Sequence, residues 1–363
     1  MKNKNSIKKV ILALLTILII LIIFVSFFNE SHHNQPDEET GFSILFLGDF
    51  MIGDSYSGDV SLPFTNLKVL FENKQDIIVN IETAITDKNT VANPDKSYNY
   101  KINKSVVEEL KRNNITLLNL ANNHILDYGV DGLNDTLNCL QNYKLLYFGA
   151  GHNETNARTG IIRCYKNNTK IGYLGYFEYR KTYDQKYHFY AKENISGVAE
   201  LNIHNLESDI LQMKEKTDII IVSFHIGSNY DINISYTQKE FAHYAIDLGA
   251  DAVVCHSAHI VLPVELYKGK MILYSIGNFI FTTPGRFSQV EEVYHTGMGA
   301  EFIIKNKNIT KIKLTPFKTN NYVVNYQPCF LNNSEIQLLS DTIIFPEIPS
   351  TIDKSLIIIH LNN

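Results

Sequence analysis

The chain has 363 residues, and 45% hydrophobic content is enough for one large core or two modest ones. A formal net charge of −5, with no basic cluster beyond the N-terminus, argues against a nucleic-acid binder. The four cysteines (Cys139, Cys164, Cys255 and Cys329) form no CxxC pair, which argues against a zinc knuckle or a dense disulfide framework.

At the N-terminus, Lys2, Lys4, Lys8 and Lys9 precede an apolar run over residues 10–28, interrupted only by Thr16 and Ser26. About 20 apolar residues cross a bilayer as a helix. The run exceeds the apolar region of a signal peptide, and the sequence that follows it lacks a small-x-small cleavage site. The expectation is therefore an uncleaved anchor with residues 1–9 in the cytoplasm. Glu30, Asp37, Glu38 and Glu39 would lie on the far side, in a polar linker over residues 29–41. A main domain over 42–315 and an extension over 316–363 would follow outside the cytoplasm, with the protein at the cell membrane as a single-pass chain.

From Phe42 the signals alternate between strand and helix. Strands are expected at 42–49, 76–82, 115–120, 144–147, 171–177, 218–224, 251–255 and 271–275. Helical spacing is found around Leu67, Leu70 and Phe71, and over 104–112, 129–141, 205–215 and 237–248. Strands separated by helices of this length predict an α/β sandwich built around buried sheets. Beyond about residue 315 the pattern is irregular, with apolar strand-like pieces at 342–345 and 355–360.

Polar residues fall at the ends of these apolar runs. Asp49 ends the first strand, Glu82 the second, and Asn122, Asn123 and His124 the third; His225 follows IIIVSF, and His256 and His259 follow DAVVC. In open α/β sheets ligands bind outside the carboxyl ends of strands, so these side chains can converge on one rim. Each has a plain structural role open to it: Asp49 can cap a turn, and a single buried histidine more often makes an ordinary hydrogen bond. Together, at five strand ends, they point to a shared metal or acid/base site. Carboxylate, amide oxygen and imidazole suit a divalent ion such as Mn, Zn or Fe, as one or two ions. His124, with Asp127 three positions on as a possible orienting carboxylate, is a candidate general acid.

The stretches LGDFMIGD, VNIETAI, LNLANNHILDYGVDGLNDTL, FGAGHN, IIVSFHIGSNY, LGADAVVCHSAHI and ILYSIGNFIF occur in this order over residues 42–281. Their succession resembles the poly-γ-glutamate capsule-biosynthesis protein family (the CapA type), a divergent branch of the calcineurin-like metallophosphoesterases. The resemblance implies a four-layer metallophosphatase-like α/β sandwich. It further implies that Asp49, Glu82, Asn123, His225, His256 and His259 are metal ligands, with His124 the histidine beside the metal-binding amide. Three positions depart from the superfamily pattern. Met51 stands where a histidine is usual, Ile226 and Asn229 stand where an HWG-x-E motif has its aromatic and its carboxylate, and Cys255 to His259 keep two imidazoles without the Gly and Pro of G-H-x-P-H. A thioether is a poor ligand for a hard cation. The leading expectation is a membrane-anchored subunit of capsule-type polymer synthesis or export, in contact with an anionic polymer and with membrane-embedded synthesis proteins. The alternatives are a stand-alone metal-dependent phosphoesterase and a catalytically idle, polymer-binding scaffold.

Overall fold

The computed structural model describes residues 41–53 and 56–361. Residues 10–28 lie outside them, and among the described residues no helix is long and apolar enough to cross a membrane.

The chain first lays down β1 (Phe42–Met51), β2 (Asp76–Ile81), β3 (Leu117–Asn119) and β4 (Leu146–Phe148), adjacent and parallel in that order. It then builds a second sheet from β5 (Ile161–Cys164), β6 (Lys170–Glu178), β7 (Glu200–Leu201), β8 (Ile219–His225), β9 (Ala252–His256), β10 (Val264–Tyr267) and β11 (Lys270–Leu273). Finally β12 (Asn278–Phe281), β13 (Thr296–Lys305), β14 (Asn308–Lys318), β15 (Cys329–Phe330), β16 (Ser350–Asp353) and β17 (Leu356–His360) return to the first sheet. The result is a ten-stranded and a seven-stranded mixed sheet. Helices α1 (Lys104–Arg112), α2 (Gly129–Tyr143), α3 (Ile203–Lys214), α4 (Tyr236–Leu248) and α5 (Asn333–Ile343) complete the frame.

Three apolar clusters record the order of the layers. Successive side chains of a strand point to opposite faces, so a strand buried on both sides reads as a continuous apolar run. In β1, Leu45 and Leu47 join Leu110, Leu133 and Leu137 of α1 and α2. Ile44 and Phe46, on the other face, meet Tyr173, Ile221 and Val254 of the second sheet. The far face of the second sheet packs Leu174, Val222 and Phe224 against Leu206, Ile210, Ala242 and Ala245 of α3 and α4. The order is helices, sheet, sheet, helices.

Helix limits follow local chemistry. Asn103 caps α1 by accepting from Ser105 N, Ser235 caps α4 by accepting from Gln238 N, and Gly249 (φ 120°) ends α4. The strand-like piece expected at 342–345 is instead the end of a helix over its first two residues and is not a strand beyond them. Asn332 and Glu335 form a capping box, and Ile336, Leu339 and Ile343 repeat at helical spacing toward the core, so α5 runs to Ile343. The piece expected at 355–360 is β17, paired antiparallel with β14.

Between Leu47 and Asp49 the pairing of β1 with β2 shifts register at Gly48. A Cβ on Gly48 would lie 1.8 Å from the Gly277 carbonyl oxygen, so only glycine permits the two backbones to approach. Asp49 N donates to that same oxygen at 3.0 Å. The irregularity brings Asp49 opposite Asn278 of β12 at the head of the candidate site.

Candidate metal centre

The carboxyl ends of β1, β2 and β3 in one sheet and of β8 and β9 in the other bring Asp49, Glu82, Asn123, His124, His225, His256 and His259 together, all of them buried. Glu82 is central. Its Oε1 lies 3.6 Å from His225 Nε2, 3.8 Å from His259 Nε2 and 3.9 Å from His124 Nε2. Asp49 faces the other two imidazole contacts, with Oδ1 at 3.3 Å from His256 Nδ1 and Oδ2 at 3.3 Å from His259 Nδ1. Asp49, Glu82 and His259 offer ligand atoms that all lie within 4.8 Å of one another.

What distinguishes this cluster is the hydrogen bonding it lacks. Both Glu82 oxygens, Asn123 Oδ1, His225 Nε2 and His256 Nδ1 are buried and make no hydrogen bond. Buried polar atoms are almost always paired, and leaving one unpaired costs about 1–3 kcal/mol, more for a charge. Five orphaned atoms at the junction of two sheets are the donor set a divalent cation would satisfy, and their chemistry fits one. The neighbouring groups are saturated. Asn80 Nδ2 donates to Asp49 Oδ1 at 2.7 Å, and Asn278 Oδ1 lies 2.9 Å from His259 Nδ1. With His259 Nδ1–H donating to Asn278, its Nε2 is the nitrogen presented to Glu82, the arrangement that orients imidazole ligands in metal sites.

The two asparagines after β3 separate in role. Asn122 Oδ1 accepts from the backbone N–H groups of His124 and Ile125, and its Nδ2 donates to the Ile81 carbonyl. It folds the loop. Asn123 holds the orphaned oxygen. On the opposite wall, Ser257 and His259 take positive φ values of 104° and 60°, strained for residues with a Cβ. The Ser257 backbone N–H is thereby directed at Asp49 Oδ2, 3.4 Å away.

Electrostatics follow burial and neighbours. Burial holds the Glu82 carboxyl well above the usual carboxylate range, since no donor reaches it. For Asp49 burial acts in the same upward sense, yet His256 and His259 outweigh it and keep the carboxyl well below its ordinary value. Burial drives His225 down. It also opposes charge on His259, but Glu82 and Asp49 prevail and raise that imidazole to about 9. His124 falls to about 4 through burial and the nearby Lys96 ammonium.

The six residues expected as ligands thus share one rim, and the expected His124–Asp127 pair is formed, with Nδ1 at 2.7 Å from Asp127 Oδ2. Met51, at the departure from the superfamily pattern, is fully buried. Sequence reasoning did not single out Asn80, Asn278 or Lys96. The two asparagines carried a signal, a polar side chain inside an apolar strand, whereas Lys96 in the NPDKSYNY segment carried none.

A family model described as Bacterial capsule synthesis protein PGA_cap matches residues 43–283. The PGA biosynthesis protein CapA of Bacillus subtilis (strain 168) is 33% identical over 245 residues, covering 66% of this chain and 63% of that protein. The Capsule biosynthesis protein CapA of Bacillus anthracis is 28% identical over 257 residues, covering 67% and 61%. The chain therefore spans less than two thirds of the length of either relative. Among solved structures, a novel phosphatase of Mycoplasma pneumoniae is similar at a TM-score of 0.50, covering 78% of this chain and 97% of that one at 14% identity. That last likeness is one of fold. Matched over more than half its length, from β1 through β12, the chain belongs to the bacterial capsule synthesis protein (PGA_cap) family.

Proposed function

We propose that the chain is a membrane-anchored, extracytoplasmic subunit of poly-γ-glutamate or related capsule-type polymer synthesis and export, carrying a metal-dependent hydrolase-like site. Membership of the capsule synthesis family and the names of the two CapA relatives support the biological setting. Residues 10–28 supply the anchor in this reading.

The observation that carries the chemical part is the buried, unpartnered set formed by Glu82, Asn123, His225 and His256 beside Asp49 and His259. These six would hold a divalent ion, which supplies Lewis acidity and activates water when bound. Asp49 and Glu82 offset the positive charge, and the neutral imidazoles complete the set. Asn80 and Asn278 fix Asp49 and His259 in place. His124, whose Nε2 faces the cluster and whose Nδ1 is held by Asp127, is placed to move a proton at the scissile bond of polymer or activated intermediate.

The test uses the purified full chain. Mn²⁺ should bind stoichiometrically, and His225→Ala and His259→Ala should lose that binding while remaining folded. In polymer-producing cells lacking their own copy, the same variants should fail to restore polymer output at wild-type abundance. Unchanged metal stoichiometry would show the ligand assignment to be wrong. Normal output from metal-free variants would leave the polymer-binding scaffold.

A further inference from the structure

Two arginines stand near the rim in the same relation to the cluster, each stacked on an aromatic ring that itself packs on one of its histidines. The Arg180 guanidinium lies 5.4 Å from the centre of the Phe177 ring, and that ring lies 5.8 Å from the His225 ring, centroid to centroid. The Arg286 guanidinium lies 5.4 Å from the centre of the Tyr230 ring, which lies 5.7 Å from the His259 ring. His225 and His259 in turn place their Nε2 atoms 3.6 and 3.8 Å from the same oxygen, Glu82 Oε1. Each cation is therefore one ring removed from the buried ligand set. Both still reach solvent: the Arg180 side chain is 29% exposed, and Arg286 is exposed.

Neither guanidinium is saturated. Arg180 donates from Nε and Nη2 to Glu178 Oε2 at 3.2 and 3.1 Å, and from Nη2 to the Gly227 carbonyl at 2.7 Å. The same carbonyl accepts from Ser257 Oγ at 3.0 Å, on the wall whose backbone N–H faces Asp49. These bonds fix the fork and leave Nη1 without a hydrogen-bond partner among the described residues. Arg286 has neither a side-chain hydrogen bond nor an ion pair among the described residues. A guanidinium stacked on a ring keeps its charge and its N–H edge while giving up much of its rotamer freedom, so an anion meets donors already in place.

The rest of the chain makes such donors necessary for an anionic ligand. The net charge is −5, and Asp49, Glu82 and Glu178 stand close by. A polyanion is repelled by that field, so contact at this site requires local cations. We propose that Arg180 and Arg286 are the residues by which the site holds an anionic polymer, Arg180 through Nη1 and Arg286 through its open N–H edge, each engaging carboxylates of the chain. The inference rests on the capsule-polymer reading for its ligand and names the side chains that recognise it.

The probe is a dye-labelled poly-γ-glutamate oligomer, titrated with the purified full chain and read by fluorescence anisotropy, with chelator and again with Mn²⁺. Wild type should bind it. Arg180→Gln and Arg286→Gln should each weaken binding by about three- to tenfold and flatten its dependence on salt, since each removes a contact between charges. Manganese content should stay at the wild-type level in both. Poly-γ-glutamine of the same length, which lacks the carboxylates, should not bind. Lys166→Gln is the control: Lys166 is exposed on the turn before β6, at the end of that strand away from His225, and its loss should leave affinity unchanged. Because Arg286 makes no side-chain hydrogen bond within the chain, its variant tests the proposal even where loss of the Arg180–Gly227 bond unsettles the fold. A wild type that does not bind the oligomer, or binds the glutamine polymer equally, overturns the proposal. So does a folded Arg286→Gln chain with wild-type affinity and salt dependence, or an equal loss in Lys166→Gln. A chain that takes up no Mn²⁺ yet holds the polymer through these arginines would refute the hydrolase-like reading and sustain this one.

Discussion

Replacing Glu82 by Gln keeps the shape of the side chain and removes its charge from a fully buried position where neither oxygen has a donor. The imidazole nitrogens at 3.6, 3.8 and 3.9 Å are too distant to pay for desolvation through hydrogen bonds, and burial dominates in raising the carboxyl. The sign follows from linkage. A folded-state carboxyl raised above its unfolded value of about 4.3 binds its proton more tightly in the native chain, so stability is lost as pH climbs above that unfolded value. At pH 7 the metal-free wild type therefore bears the cost of Glu82. A glutamine amide would be as poorly partnered but uncharged, so Glu82→Gln should recover the additional cost of burying the charge, on the order of 1–3 kcal/mol. The assay is thermal unfolding of the full chain with chelator and with excess Mn²⁺. With chelator, Glu82→Gln should melt a few degrees above wild type. At a free ion concentration of about 100 times Kd, wild type should gain about 2.7 kcal/mol and the variant far less, which reverses their order. A variant that is less stable in chelator, or that gains as much from Mn²⁺ as wild type, would refute the reasoning.

Other consequences follow from the same geometry. Because Glu82 and His259, the latter raised to about 9, must release protons to become ligands, Mn²⁺ affinity should strengthen as pH rises from about 6 to 9, with protons released on binding; a flat isotherm series would contradict this. His124→Asn should lower any metal-dependent turnover by about 10²–10⁴-fold while leaving ion content unchanged, read by steady-state kinetics beside elemental analysis. Protease added to intact cells should degrade residues 42–363, and protection of that region would overturn the extracytoplasmic topology.

Much of the fold was legible because its strands are buried on both faces. FSILFLGDFM and IIIVSFH carry nearly continuous apolar runs, broken by Ser43 and Ser223, with Asp49 and His225 toward their carboxyl ends, so strand and candidate site were read from one signal. Helix α1 was placed over 104–112 because Val106, Val107 and Leu110 mark one face of it. The C-terminal part was less clear for a physical reason. Apolar residues such as Ile343 and Ile344 end a helix and begin an extended segment within one short run, and periodicity alone does not divide such a run. The candidate site was readable because its members lie at or just beyond the carboxyl ends of strands, with His256 and His259 sharing one. Lys96 was not, since only tertiary folding brings an irregular segment across Asp127, 31 positions away in sequence.

The arrangement also explains why the supporting residues are amides. Asp49 needs a donor that will not compete for charge, and Asn80 Nδ2 provides one at 2.7 Å. His259 Nδ1 needs an acceptor, and Asn278 Oδ1 provides one at 2.9 Å. Two carboxylates in their place would add buried negative charge beside Glu82 and raise its carboxyl further. Neutral amides orient Asp49 and His259 without that cost, and leave Glu82 as the unpartnered group that an incoming cation would meet. The inner layer is thus left unsatisfied while the layer behind it is saturated. In the metal-free chain that division lowers stability, and on the proposed ion binding the same atoms would return the loss as affinity.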